Sequence, residues 1–169
     1  MDAAGLRAMQ APLKERYRNE PAAATITLRA KGTLDDTGIT CKVETGRALA
    51  VAGLHPATGG SGLELCSGDM LLEALVACAG VSLKAVATAL DIKLDHAAVF
   101  AEGDLDFRGT LGVDKTAKVG FEKIRLRFEV KSDAPQEKLD QLLKLTERYC
   151  VVFQTLNVRP DLSASLLRA

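Results

Sequence analysis

The stretch SGDMLLEALVACAGVSLKAVATAL, Ser67 to Leu90, decides the fold. From Met70 onward it is apolar almost all round, and a helix of that kind must be enclosed on nearly every side, by the sheet of its own subunit or by a second chain. Ser67 is placed to cap it, and Asp69 falls in the first turn, where the macrodipole favours negative charge. In its middle sits Cys78. A second cysteine lies in QLLKLTERYCVVFQTL, Gln141 to Leu156, which reads as a helix opened by Asp133, with Pro135 in its first turn and Gln136 three residues past the cap. Its apolar stripe is Leu139, Leu142, Leu143, Thr146, Tyr149, Cys150 and Phe153, and Pro160 closes it. A thiol on each of two core-facing helices can become a redox pair if the helices pack together. Zinc chemistry does not suit the pattern, because the chain has no C-x-x-C and His55 and His96 are far from both cysteines in sequence. A dithiol or plain packing remains.

Outward from the helices, alternation takes over. Ile26, Leu28 and Ala30 face one way and Thr25, Thr27 and Arg29 the other, followed by Ile39 to Glu44 and Arg47 to Ala52 around Thr45-Gly46, which reads as an antiparallel meander. Gly53 to Gly62 is turn-rich and aperiodic, a loop leading to the long helix. Strands are expected at Ala98 to Phe107 and Phe121 to Val130, the latter setting Ile124, Leu126, Phe128 and Val130 against Lys123, Arg125, Arg127 and Glu129. Leu162 to Leu166 suits a last strand. At the amino end, Leu6 to Asn19 has helical spacing and stops before Pro21. Runs of strands and runs of helices, without strict alternation, indicate an α+β domain. Residues 1–23 form a helical arm, either an added dimer contact or a lid, and 24–169 form the domain.

With 169 residues the chain can bury about 68–70% of its unfolded surface, so it needs no disulfide to fold. The 22 basic and 22 acidic residues leave zero net charge, which disfavours nucleic-acid partners. Glu73, Ser82, Lys84 and Thr88 interrupt the longest apolar run, and Arg7, Lys14, Glu15, Arg16 and Arg18 occupy the amino end where a signal core would be apolar. The expectation is a cytoplasmic protein without membrane partners or cofactors, its cysteines resting as thiols. Cys41 in an alternating strand and Cys66 before a helix read as packing. His55 beside Pro56 reads as a loop hydrogen-bonder, and Asp104, Asp106, Arg108, Asp114, Lys115 and Lys118 as a solvated hairpin. Glu147-Arg148 is a surface pair, or Arg148 is a cation for Cys150. Glu73 and Lys84 project at nearly one angle, a stripe that either lines a cavity or meets solvent.

The two cysteine motifs, in this order and at this separation, resemble those of the OsmC/Ohr family of osmotically inducible and organic-hydroperoxide-resistance proteins, over roughly residues 24–169. Cys78 matches the cysteine of the alanine-rich helix, and Cys150-Val151-Val152-Phe153 the second motif, with Val151 where the family usually carries proline. The resemblance implies antiparallel sheets wrapped around two central cysteine-bearing helices in an intertwined homodimer. It also implies a thiol peroxidase acting on organic hydroperoxides, with Cys78 attacking, Cys150 resolving, and a lipoyl-type or thioredoxin-like dithiol as reductant. The family holds an arginine near the nucleophile with a carboxylate ten residues before it. That position is Gly68 here, so Asp69 is the adjacent candidate, Glu64 and Glu73 more distant ones, and Arg29 and Arg47 the candidate arginines. Cys78 lies beyond the helix's first turn, so a guanidinium is expected to stabilise its thiolate. The alternative is a non-catalytic dimer binding a small apolar molecule between the cysteine helices.

Overall fold

A computed structural model describes residues 2–19, 31–34, 40–44, 49–112 and 114–168. The long apolar stretch is helix α2, Ser67–Ala89, preceded by helix α1, Ala3–Asn19, which touches it. Ser67 does not cap α2: Cys66 holds the cap position with no side-chain hydrogen bond, and Ser67 is already in the first turn with Asp69. The carboxyl end is closed by a Schellman motif that the sequence did not announce. Asp91 adopts a positive φ of 55° in place of the usual glycine. The Ile92 N–H returns to the Ala87 carbonyl at 2.8 Å and the Asp91 N–H to Thr88 at 3.3 Å. Ile92 thereby turns back into the core beside Ala87.

Before α2 run strands β1 Lys31–Leu34, β2 Thr40–Glu44, β3 Leu49–Gly53 and β4 Leu65–Cys66. β2 and β3 pair antiparallel as expected, with Cys41 on β2 opposite Ala52; β1 at Lys31–Leu34, a strand the alternation did not mark, completes an antiparallel meander, and the short β4 adds in parallel to β3. The alternation read over 25–30 lies outside the described residues. In the loop after β3, His55 Nδ1 accepts the Ala57 N–H at 3.0 Å and its ring stacks on Phe107 with centroids 5.0 Å apart, so it is the loop hydrogen-bonder expected.

After α2, β5 His96–Leu105 and β6 Phe121–Lys131 pair antiparallel, joined through a single helical turn, α3, Phe107–Thr110. The period of two holds on β6: Ile124, Leu126, Phe128 and Val130 face the core with Val99 and Ala101 of β5. On the other face Arg125 is paired with Glu102 and Asp104, and Arg127 with Glu129, its guanidinium 4.3 Å from the Phe100 ring centroid. Asp106 and Asp114 both hold Arg108 in the connection, which is solvated as read.

The second cysteine segment is two helices. α4 runs Gln136–Tyr149 and α5 Val151–Asn157, with Cys150 between them in extended backbone, φ −74° and ψ 105°. Pro135 stands at the cap position in place of Asp133. A helix can stop at a residue that leaves the α region without a proline, provided the freed groups find partners. Here the Cys150 N–H still reaches the Thr146 carbonyl and the Gln154 N–H the Cys150 carbonyl, both at 2.9 Å. Leu143 and Tyr149 face outward, while Leu142, Thr146 and Cys150 are buried. Arg148 lies over the Tyr149 ring. The expected last strand is absent: Leu162 to Leu166 has no regular structure and Leu166 is 98% exposed. A strand forms only beside a partner, and among the described residues none lies against this segment.

The core is thus α2 packed between the β5–β6 sheet and the α4–α5 pair. Its contacts are Leu83, Val86 and Ala87 with Leu142, and Leu75 and Ala79 with Cys150. Each fully buried leucine contributes about 1.5–3 kcal/mol. α2 is long and apolar enough to cross a membrane by length and composition. Its packed face identifies it as the core helix of this domain.

Candidate functional site

Cys78 and Cys150 meet where α2 crosses the α4–α5 junction. Leu75, Ala79 and Cys150 fill that crossing completely, with Cys78, Val99, Ile124, Leu126, Val152 and Phe153 around them. Both cysteines are free thiols, Cys150 buried and Cys78 half-buried, and they share one hydrophobic cluster.

The junction explains why the two thiols differ. Burial by itself pushes the Cys78 thiol up. Against it act the Val152 N–H, the Cys150 thiol, the Val151 N–H and the Ser82 hydroxyl, which together hold Cys78 below the ordinary thiol value of 9.0. Breaking the helix at Cys150 frees the first N–H groups of α5, and these reach across to the sulfur on α2. For Cys150, burial is the largest cause and the Cys78 thiolate adds to it through its hydrogen bond and its charge. The Phe153 and Val152 N–H groups oppose them, and the net direction is up from 9.0. The arrangement therefore holds one thiol ready to ionise and a second that keeps its proton.

Among the described residues the groups that act on the Cys78 sulfur are neutral, and Arg29 and Arg47, the two arginines expected to supply a guanidinium, lie outside the described residues. Asp69 is not brought to the sulfur: nine residues from Cys78 on one helix, it projects about 180° away. It lines an open groove of about 480 Å³ with Glu73, Val76 and Ala101. Glu64 accepts from Ser61 in the preceding loop. Residue reading missed Ser82 and the Val151 and Val152 N–H groups. Ser82 was recoverable from its i+4 spacing to Cys78. The amides were not, because nothing in CVVFQ marks a helix start.

Where the alternative needs an apolar space between the cysteine helices, the structure packs side chains. The open grooves flank the site instead. One of about 340 Å³ runs between β6 and α5, lined by Leu75, Ile124, Leu126, Phe153 and Leu156. Among the described residues no group of histidines, cysteines and carboxylates is placed to hold a metal.

A family model described as OsmC-like protein matches residues 59–165. No curated protein matches the chain by sequence. Among solved structures, the chain is similar to an OsmC-like protein from Mycoplasma pneumoniae, with TM-score 0.64 and 16% identity over 78% of this chain and 88% of that one. It is also similar to an organic hydroperoxide resistance protein OsmC from Legionella pneumophila, TM-score 0.61 and 18% identity over 79% and 90%. A third is an organic hydroperoxide resistance protein from Elizabethkingia anophelis with thiocyanate bound, TM-score 0.63 and 15% identity over 80% and 91%. At these identities the likeness is one of fold.

Proposed function

The chain belongs to the OsmC-like protein family, and from that premise we propose that it is a cysteine-based thiol peroxidase reducing organic hydroperoxides. The observation that carries this reading is the placing of both thiols in one packed cluster, a half-buried Cys78 held below the ordinary thiol value and a buried Cys150 held above it. Names of similar structures support the substrate class, since two of them are organic hydroperoxide resistance proteins.

In the first step the Cys78 thiolate attacks the terminal oxygen of the hydroperoxide. An S–O bond forms as the O–O bond breaks, and the alkoxide takes a proton and leaves as alcohol, with Cys78 now a sulfenic acid. Cys150 gives up its proton and attacks that sulfur, so the S–S bond forms and water leaves. A dithiol of lipoyl or thioredoxin type returns two electrons and is itself oxidised to its disulfide. Their place in one packed cluster brings the two thiols near each other for the second step. A reducing compartment such as the cytoplasm resets the pair. The working unit is a homodimer, because α2 leaves Leu71 and Val81 exposed beside Cys78 on one face.

The test is peptide mass spectrometry after stoichiometric cumene hydroperoxide, paired with hydroperoxide consumption in the presence of dihydrolipoamide. A Cys78–Cys150 crosslink is expected, together with turnover that Cys78→Ser abolishes. Free thiols at both positions after treatment, or turnover retained in Cys78→Ser, would refute the reading.

A further inference from the structure

We propose that Gln154 is a positioning residue for the cysteine pair: its side-chain amide ties α5 back to the end of α4 and so fixes the extended turn that presents Cys150 to α2. The inference rests on the peroxidase reading for its purpose, and on hydrogen bonds for its geometry.

The need for a tie follows from the turn. In a continuous helix the Glu147 carbonyl would accept from the Val151 N–H. Cys150, at ψ 105°, swings that N–H away, and the carbonyls of Glu147, Arg148 and Tyr149 all lose their partners four residues on. Arg148 and Tyr149 are exposed, so water can serve theirs, whereas Glu147 is half-buried. It is the Glu147 carbonyl that the Gln154 side chain reaches, Nε2 donating at 2.8 Å. A carbonyl only accepts, so the NH2 end of the amide is the end that must face it.

The span of this bond sets it apart. The hydroxyls of Thr88, Thr146 and Thr155 reach back four residues within one helix, as helical hydroxyls ordinarily do. Gln154 reaches back seven, across the break. On one straight helix residues seven apart are separated by about 10 Å along the axis; the turn at Cys150 brings them together, and the bond holds that turn closed. α5 has seven residues, too few to be stable alone. Val152 and Phe153 pack against the cluster that contains both thiols. The Gln154 main chain donates to the Cys150 carbonyl at 2.9 Å and accepts from the Val158 N–H at 2.8 Å. One residue thus secures the start of α5, its end and the turn before it. A disulfide tolerates only a narrow range of Cα separation and dihedral, so a turn held in advance spares the closing step the cost of ordering it.

The experiment equilibrates the full chain in glutathione buffers of graded thiol-to-disulfide ratio, quenches with iodoacetamide and reads the Cys78–Cys150 pair by peptide mass spectrometry. Each closure reduces one glutathione disulfide: the two protein thiols are oxidised, and two glutathione thiols leave with their protons. Gln154→Glu keeps the shape of the side chain but, ionised, has no donor. It is expected to lower the equilibrium constant for closure about threefold to tenfold. Gln154→Lys keeps an N–H donor of similar reach and is expected to stay within about twofold of the parent protein. An unchanged constant in Gln154→Glu would overturn the proposal, even if its melting temperature falls, since a merely structural tie supports both redox states alike. So would an equal fall in both variants, which would assign the effect to packing. The buffer carries the oxidant, so the result is independent of the hydroperoxide turnover that Cys78→Ser tests.

Discussion

Each thiol of the pair sets the ionisation of the other, and in opposite directions. The Cys150 thiol donates to the Cys78 thiolate, so Cys150→Ala is expected to move the Cys78 alkylation midpoint up toward 9.0 and slow its labelling at neutral pH several-fold. In Cys78→Ser the thiolate charge is gone, so the Cys150 midpoint is expected to fall. The linkage to stability has opposite signs as well. The depressed Cys78 contributes stability that is full above 9.0 and fades as pH falls through its lowered value. The raised Cys150 contributes stability that is full below 9.0 and is lost as pH climbs toward its raised value. Midpoints unmoved by either substitution would mean that the sulfurs do not share a proton donor in solution.

At the scale of elements, the break at Cys150 organises the site. Its lost α4 geometry frees the α5 amides that hold Cys78, and Val151 is the first residue of the new helix. Proline suits that position, since its φ is preset for a first turn and the preceding residue must be extended; Cys150, at φ −74° and ψ 105°, already is. Val151→Pro is therefore expected to leave the melting temperature within about 2–4 °C of the parent protein. It also deletes one N–H that reaches Cys78, so the Cys78 alkylation midpoint is expected to rise. A lowered melting temperature with an unchanged midpoint would place the Val151 amide elsewhere. The same element shows what could be read from residues. Periodicity located α2, β6 and the stripe Leu142, Thr146, Cys150, because burial follows spacing directly. It carried the helix straight through Cys150, because Val151, Val152 and Phe153 continue the apolar pattern and no glycine or proline interrupts it. Caps failed similarly: Ser67 and Asp133 are good cap residues, yet Cys66 and Pro135 hold those positions without side-chain bonds, since backbone path outranks cap preference. Asp69 lies on the side of α2 away from the sulfur, since neighbours on a helix are turned by 100°; the arginines it was expected to hold are not among the described residues.

At the scale of the whole molecule, α2 remains half clothed. Its own chain covers the side bearing Leu75, Ala79, Leu83, Val86 and Ala87, while Leu71 is 38% and Val81 72% exposed. Leu71 and Val81 flank Cys78 within about 60° on the helix, so whatever covers this face also walls the approach to the nucleophile. In the homodimer proposed above, a second copy would do so by an isologous contact, in which the same patch meets itself and each α2 shields the other. Val81→Glu introduces a carboxylate that such a contact would have to bury unpaired. The expected outcome is a shift from dimer to monomer in sedimentation velocity and lower turnover of bulky hydroperoxides. The two sulfurs lie within one chain, so the Cys78–Cys150 crosslink is expected to persist in that monomer, and its pairing to be unchanged. A parent protein that already sediments as a monomer, or a Val81→Glu variant that remains a dimer, would leave this face of α2 outside the interface and return the wall of the site to the chain itself.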